Sequence, residues 1–270
     1  MLLAVDHTTL YRYDRPMRHV TQSHRLQPSH FEGQRVVEWK VVVEGGRFGA
    51  SFVDGAGDRL GTLSLSGPLG ELAVVVRGRV ETSDTAGVLK GHRESIHPVA
   101  YLRHTAATCT DDALRQLSRD ALGEAGIRDP LDAAHRLSAA VADAIQYQPG
   151  VTHSHTTAAQ ALAEGRGVCQ DHAHALIAMA VEAGLPARYV IGYLHSSADG
   201  AAHEASHAWA EVHVAGLGWV GFDPSNRCCP DERYIRLGSG LDALQAAPIR
   251  GVSRGTGTEA IPVDWRCFAF

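Results

Sequence analysis

The sequence lacks the segments that would place a chain in a membrane or direct it into one. No apolar run approaches the ~20 residues that a membrane-spanning helix needs, although apolar residues make up 44% of the 270 positions. The first residues, Met1–His7, contain neither a basic segment nor a long apolar one, so they do not resemble a signal peptide. We therefore expect a cytoplasmic protein with an ordinary hydrophobic core.

An excess of positive charge is also absent, and the basic residues are almost all arginine. Lysine occurs only at Lys40 and Lys90, and the formal net charge is −5. Nucleic acids and anionic membranes both attract basic surfaces, so this balance disfavours both as partners.

Patterns for disulfides and metal sites are missing as well. The five cysteines are an odd number, and the adjacent Cys228 and Cys229 rarely pair with each other, so we expect reduced thiols. Neither HExxH nor CxxC occurs. His172 and His174 lie two residues apart on a predicted helix, where they point in nearly opposite directions and cannot bind one ion together. We expect no metal and no cofactor, with a zinc hydrolase as an alternative.

Strand patterns dominate the first ~85 residues, where apolar and polar positions alternate. The predicted strands lie at 3–13, 37–43, 48–52 and 72–80. Glycine-rich turns between them favour a small all-β sandwich over residues 1–88. Residues 89–270 are predicted to form a second domain, which includes a C-terminal tail.

Helical and strand patterns mix in this second part, which makes the predicted fold class α+β. Helices are predicted at about 112–123, from Pro130 through 145, at 158–164 and from Cys169 to Gly184, each supported by capping residues or an apolar stripe. Strands are predicted at 187–195, 206–214 and 218–223.

Three short islands in this part contain a cysteine, a histidine and an aspartate in that order: Gly165–His172, Ser206–Trp209 and Gly221–Pro224. A thiol activated by an imidazole that a carboxylate orients is suited to acyl transfer from amides. Cys169 would begin a helix, where free N–H groups and the helix dipole favour a thiolate and could stabilise an oxyanion. A buried structural cysteine is the alternative.

His207 and Asp223 are predicted on neighbouring strands. His207 shares one strand face with Trp209 and Glu211, opposite a face of small apolar residues that should meet the core, and Trp209 could line a substrate groove. A turn pairing Ala215 with Trp219 would set Asp223 opposite Glu211, ~13 Å along the strand from His207. A triad then requires strong coiling, a bulge or another register, and Glu211 is the alternative orienting acid.

The three islands resemble the nucleophile, histidine and aspartate segments of the transglutaminase-like cysteine enzymes, here Gly167–Ala173, Ser206–Glu211 and Trp219–Pro224. The first ~85 residues, with Tyr11-Arg12-Tyr13 and Leu26-Gln27-Pro28, are similar to the β-rich domain that precedes such cores in bacteria. Residues 230–234 also resemble that bacterial branch, without an assigned role.

This resemblance implies a papain-like transglutaminase core with catalytic Cys169, His207 and Asp223 and a peptide or protein substrate. It implies a peptidase or amidase first. A protein-glutamine transamidase, with an amine as acceptor, and a non-catalytic peptide-binding module of the same fold are the alternatives.

Overall fold

A computed structural model of the protein describes residues 1–124, 126–195, 206–260 and 263–269, with side chains described as far as residue 258. These residues form a mixed α+β fold, which confirms the predicted class. A β-rich region precedes a core in which helices pack on one face of a second sheet. Among the described residues, no helix combines the length and the apolar composition needed to cross a membrane.

The β-rich region is built around two long antiparallel strands that bend. Its strands are β1 (Leu2–His24), β2 (Gln34–Val43), β3 (Arg47–Val53) and β4 (Arg59–Thr82). β1 pairs with β4 over nearly its whole length, with register shifts between Arg12 and His19. β2 pairs with the second half of β4 and β3 with the first half. Leu63 and Val76, which belong to different halves of β4, share one hydrophobic cluster, so the sheet curves around its own core.

The core contains the helices α1 (Asp112–Leu122), α2 (Pro130–Ala144), α3 (Ala158–Glu164), α4 (Cys169–Glu182) and the short α5 (Ala243–Ala246). Its strands are β5 (Gln146–Tyr147), β6 (Arg166–Gly167), β7 (Ala187–Leu194), β8 (Ser206–Val214), β9 (Gly218–Phe222) and β10 (Tyr234–Gly240). A 3-10 turn, Pro98–Tyr101, lies between the two regions. The main sheet has the antiparallel order β10-β7-β8-β9, and β5 pairs with β6 in parallel.

Helix α4 is the centre of the core. Residues from Asp171 to Val181 are all buried, and the helix packs against α1, α2, α3 and strand β8. A helix that is apolar on most of its circumference needs cover on every side. The predicted small face of β8, which includes Ala208 and Val212, contributes to the same hydrophobic cluster, as expected.

The predicted division at residue 88 requires one correction, because the C-terminal tail belongs to the first sheet. The tail forms β11 (Ile249–Arg254), β12 (Glu259–Ala260) and β13 (Val263–Ala269). All three strands pair antiparallel with β1. The tail therefore covers the edge of β1 that β4 leaves open, rather than extending the core.

A hydrophobic and ionic interface joins the two regions. Leu3 and Val80 of the first sheet pack with Ile235 of β10. Beside them, Arg236 of β10 binds Asp58 at 2.8 Å, and Ser239 donates to the same carboxylate. The interface holds β10 in place at the edge of the sheet that carries the candidate site.

Candidate active site

The start of α4 places Cys169 in the first turn of a helix, at the end of the loop from Gly165. Asp171 closes the helix start, because its Oδ2 accepts the backbone N–H of Val168 at 2.8 Å. Thr152 donates to the same oxygen at 2.6 Å. Gly167 is required here, since an added Cβ would lie 2.7 Å from the Asp171 side chain. The Cys169 side chain is half-buried at the edge of the core.

The first N–H groups of this helix have no acceptor within the helix. The earliest hydrogen bonds within α4 run from Asp171 and His172 to the Val168 carbonyl, so the N–H groups of Cys169 and Gln170 point toward the helix start. Both ring nitrogens of His172 lie within 2.9 Å of backbone carbonyls, at Val168 and Ile145, which fastens the turn from a second side. The helix therefore presents the thiol on a rigid support.

His207 lies one residue inside β8, opposite Gly192 of β7. Its side chain is buried, with 8% of the residue exposed. The ring of Trp209 stacks on it with centroids 6.3 Å apart, and the ring of Tyr234 lies 5.9 Å away. Trp209, which we expected could line a substrate groove, is only 2% exposed. Trp209 instead packs behind the imidazole and holds its plane.

Asp223 follows β9, and its carboxylate reaches the imidazole. Oδ2 lies 2.6 Å from His207 Nε2. The predicted register between β8 and β9 was wrong by two residues. Val214 pairs with Gly218, and Ala210 with Phe222, so Asp223 lies nearer to His207 than predicted, without a bulge in β8.

Cys169 is the third residue of the group. The Cys169 side chain lies near enough to the His207 ring to raise its pKa, and since Nε2 is held by Asp223, Nδ1 is the ring nitrogen left for the thiol. Burial by itself would lower the pKa of His207, but hydrogen bonds and charges from Asp223 and Cys169 raise it from 6.5 to about 10. Burial would raise the pKa of Asp223, but the hydrogen bond and charge of His207 lower it to about 2. The arrangement favours an ionised carboxylate beside an imidazolium.

Further donors surround Asp223 that sequence reasoning missed. Ser225 Oγ donates to Oδ1 at 2.6 Å, and Asn226 Nδ2 donates to Oδ2 at 2.8 Å. The Tyr234 hydroxyl donates to Oδ2 at 2.9 Å. Ser225 and Asn226 directly follow Asp223-Pro224, a position where such residues often bond to a preceding carboxylate. That spacing was a usable signal, whereas Tyr234 comes from another strand.

Glu211, the alternative orienting acid, binds elsewhere. Its carboxylate accepts from Arg188 Nε at 2.7 Å and from Arg236 Nε at 2.8 Å. Both arginines are buried. Glu211 therefore belongs to the interface with the first sheet and does not orient His207.

His172 and His174, the two histidines weighed as metal ligands, make other contacts. Among the described residues, no group of three or more His, Cys, Asp or Glu side chains is arranged to hold an ion. His174, for example, accepts a hydrogen bond from the Ala243 backbone at 3.1 Å.

Two known families match the two regions of the fold. Residues 118–224 match the Transglutaminase-like superfamily. Residues 3–81 match the Bacterial transglutaminase-like N-terminal region. Cys169, His207 and Asp223 all lie within the first match.

Similar proteins cover the chain to different extents. The uncharacterized protein ML0607 of Mycobacterium leprae is 28% identical over 97% of this chain and 96% of its own length. The uncharacterized protein Rv2569c of Mycobacterium tuberculosis is 36% identical over 39% of this chain and 37% of its own. A crystal structure of a candidate cysteine protease from Cytophaga hutchinsonii superposes with a TM-score of 0.76 at 21% identity, covering 99% of this chain and 90% of that one. That likeness supports the fold.

Proposed function

Because the chain belongs to the transglutaminase-like superfamily, we propose that it is a cysteine peptidase or amidase that cleaves a peptide or side-chain amide. Cys169 is the nucleophile, His207 transfers the proton, and Asp223 orients His207. The observation that carries the proposal is the 2.6 Å contact between His207 Nε2 and Asp223 Oδ2, on a ring whose pKa the nearby Cys169 side chain also raises.

Acylation begins from an ion pair in which the thiol proton of Cys169 is already held on Nδ1 of the His207 imidazolium. The Cys169 sulfur then attacks the carbonyl carbon, and the carbonyl oxygen becomes an oxyanion. The Cys169 and Gln170 N–H groups, free of helix hydrogen bonds, are the donors available to stabilise it. The carbon–nitrogen bond breaks, the imidazolium gives its proton to the leaving amine, and a thioester to Cys169 remains.

Deacylation reverses the roles of the same groups. The imidazole takes a proton from water, the hydroxide attacks the thioester, and the sulfur leaves and recovers the proton. Asp223 keeps its charge throughout and stabilises the imidazolium in both steps. An amine in place of water would give transamidation.

The first test is turnover of a glutamine-containing peptide library by wild type and by Cys169→Ala. We expect the variant to keep less than roughly 0.1% of the activity, because loss of a nucleophile costs several orders of magnitude. Cys109→Ala is the matched control, since Cys109 is a free, exposed cysteine outside the site. Wild-type-like turnover by Cys169→Ala would contradict the assignment of the nucleophile.

Transamidation is the second candidate, favoured by the superfamily match. Mass spectrometry of products, with and without an added primary amine, separates the two reactions. Backbone fragments, or loss of ammonia with gain of water, indicate hydrolysis. Loss of ammonia with gain of the amine's mass indicates transfer and would overturn the choice of water as acceptor.

Thiol reactivity distinguishes the proposed enzyme from a peptide-binding module without catalysis. A Cys169 thiolate beside an imidazolium should react with iodoacetamide near pH 6 much faster than Cys109, because the thiolate is the reactive form. Peptide mapping by mass spectrometry measures each cysteine separately. Equal, slow labelling of the two cysteines would favour the binding module.

A further inference from the structure

The segment 230–234 has no role in the chemistry described above, yet it is tightly fastened beside the site. Pro230 packs on Gly221, where an added Cβ would lie 2.9 Å from the proline ring. Arg233 forms a two-pronged ion pair with Asp231, and its backbone N–H donates to the same carboxylate. Tyr234 then donates its N–H to the Asp231 carbonyl. These contacts make a closed turn whose end fixes the position of Tyr234.

The first sheet also holds this turn. Thr82, at the end of β4, donates its hydroxyl hydrogen bond to the carbonyl of Glu232. The ring of Tyr234 is buried and packs edge-on against Trp209, with centroids 5.5 Å apart. The Tyr234 hydroxyl is therefore directed by contacts from both regions of the protein.

The hydrogen bonds around this hydroxyl have only one consistent direction. Asp223 is ionised and can only accept, so the Tyr234 hydroxyl gives its single hydrogen to Oδ2. Cys228 Sγ lies 3.3 Å from the Tyr234 oxygen. Since the tyrosine hydrogen is already used, the Cys228 thiol must be the donor. The chain of donors runs from Cys228 through Tyr234 to the carboxylate that also binds His207.

We propose that Tyr234, presented by the turn 230–233 and supported by the Cys228 thiol, is a positioning residue that holds Oδ2 of Asp223 against the His207 imidazole. This proposal rests on the proposed catalytic role of His207 and Asp223. The turn, the Cys228 thiol and the contact from β4 then act together to keep the carboxylate from rotating away from the ring.

Among the described residues, few groups that could titrate lie near Asp223. They are His207 on β8, Cys169 on α4, Tyr234 on β10 and Cys228 in the loop before it. The nearest charged pair, Asp231 and Arg233, is closed on itself. Burial raises the pKa of Cys228, and burial and the Asp223 charge raise that of Tyr234, so both remain protonated donors at neutral pH.

The test follows the pH dependence of Cys169 alkylation by iodoacetamide in the full chain, which requires no substrate. Tyr234→Phe keeps the ring and its packing and removes only the hydroxyl. We expect the labelling midpoint to move to higher pH and the rate at pH 6 to fall about fivefold, the size typical of one hydrogen bond. Cys228→Ala should give a smaller shift in the same direction, and Cys228→Ser, which restores a donor, should reverse it.

Two controls separate positioning from general damage. Tyr193→Phe removes another buried tyrosine hydroxyl, one that contacts His7 at 2.8 Å, and Cys229→Ser changes the neighbouring cysteine. Both should leave the midpoint unchanged. A Tyr234→Phe midpoint equal to that of wild type overturns the proposal. A midpoint at lower pH also overturns it, since Tyr234 would then compete with His207 for Oδ2.

The outcome is distinguishable from failure of the proposed function. If Cys169→Ala abolishes turnover while Tyr234→Phe labels like wild type, only the positioning role is lost. If Cys169→Ala keeps full turnover, the catalytic proposal fails whatever the labelling shows. Where substrate turnover is measurable, Tyr234→Phe should lower kcat and leave KM within about twofold, because the hydroxyl supports the transition state and does not contact substrate.

Discussion

Replacing Glu211 by glutamine tests the buried ionic interface and separates this carboxylate from Asp223. Glu211 is 2% exposed and accepts hydrogen bonds from two buried arginines, from Nε of Arg188 and from Nε and Nη2 of Arg236. The amide keeps the size of the side chain but removes its charge. The two guanidinium groups would then be left partly uncompensated in a buried setting, which is the costly way to break an ion pair.

The expected cost is about 3 kcal/mol. Removing one partner of a buried pair costs about 3–5 kcal/mol, and the lower end applies because Arg188 keeps Glu94 and Arg236 keeps Asp58. Burial would raise the pKa of Glu211, but the two arginines lower it from 4.5 to about 2, a change that also corresponds to about 3 kcal/mol. In a chain of this size the melting temperature should fall by roughly 6–12 °C.

Scanning calorimetry at pH 7 measures this effect. Glu38→Gln is the matched control, because Glu38 pairs with Arg79 on the surface with a side chain 64% exposed, and exposed pairs contribute less than about 1 kcal/mol. A Glu211→Gln melting point within about 2 °C of wild type would refute the reasoning about uncompensated charge. Cys169 labelling should survive Glu211→Gln and be lost in Asp223→Asn. The reverse result would return Glu211 to the role of orienting acid.

The remaining predictions concern pH and the helix start. Because the folded-state pKa of His207 is raised to about 10, the contribution of His207 to the free energy of unfolding is complete below pH 6.5 and is lost as pH rises through 10. In urea unfolding, His207→Gln should lack this alkaline decline in stability. A decline equal to that of wild type would contradict the ion pair. Gly167→Ala should cost about 1–3 kcal/mol by overpacking against Asp171 and slow Cys169 labelling, whereas Gly70→Ala, which meets no neighbouring atom within 4 Å, should cost less by the same melting assay.

Local sequence signals predicted the elements that carry the site. The alternation from Ser206 to Val214 gave the observed bounds of β8, and the glycine-rich approach to Cys169 gave the start of α4. Both depend on neighbouring residues, through strand periodicity and helix capping. The β8–β9 register was wrong because Gly216 and Gly218 both adopt positive φ, and two flexible positions so close together allow several turn geometries.

Tertiary contacts explain what the sequence could not predict. The alternating pattern placed Glu211 and His207 on one face of β8. Only the folded chain shows that two arginines lie beside Glu211 and that a carboxylate lies beside His207. Tyr234 reaches Asp223 from a strand on the other side of β7. The tail gave weak strand signals because its partner, β1, is nearly the whole chain away in sequence.

The pairing of the tail with β1 has a consequence for synthesis on the ribosome. Leu3 lies opposite Ala269, so one side of β1 has no partner until almost all of the chain has been translated. The helices around Cys169 can pack together while this edge of β1 is still exposed. Exposed strand edges can pair with strands of other chains. Fragments that end near residue 88 would keep the edge open permanently and should aggregate.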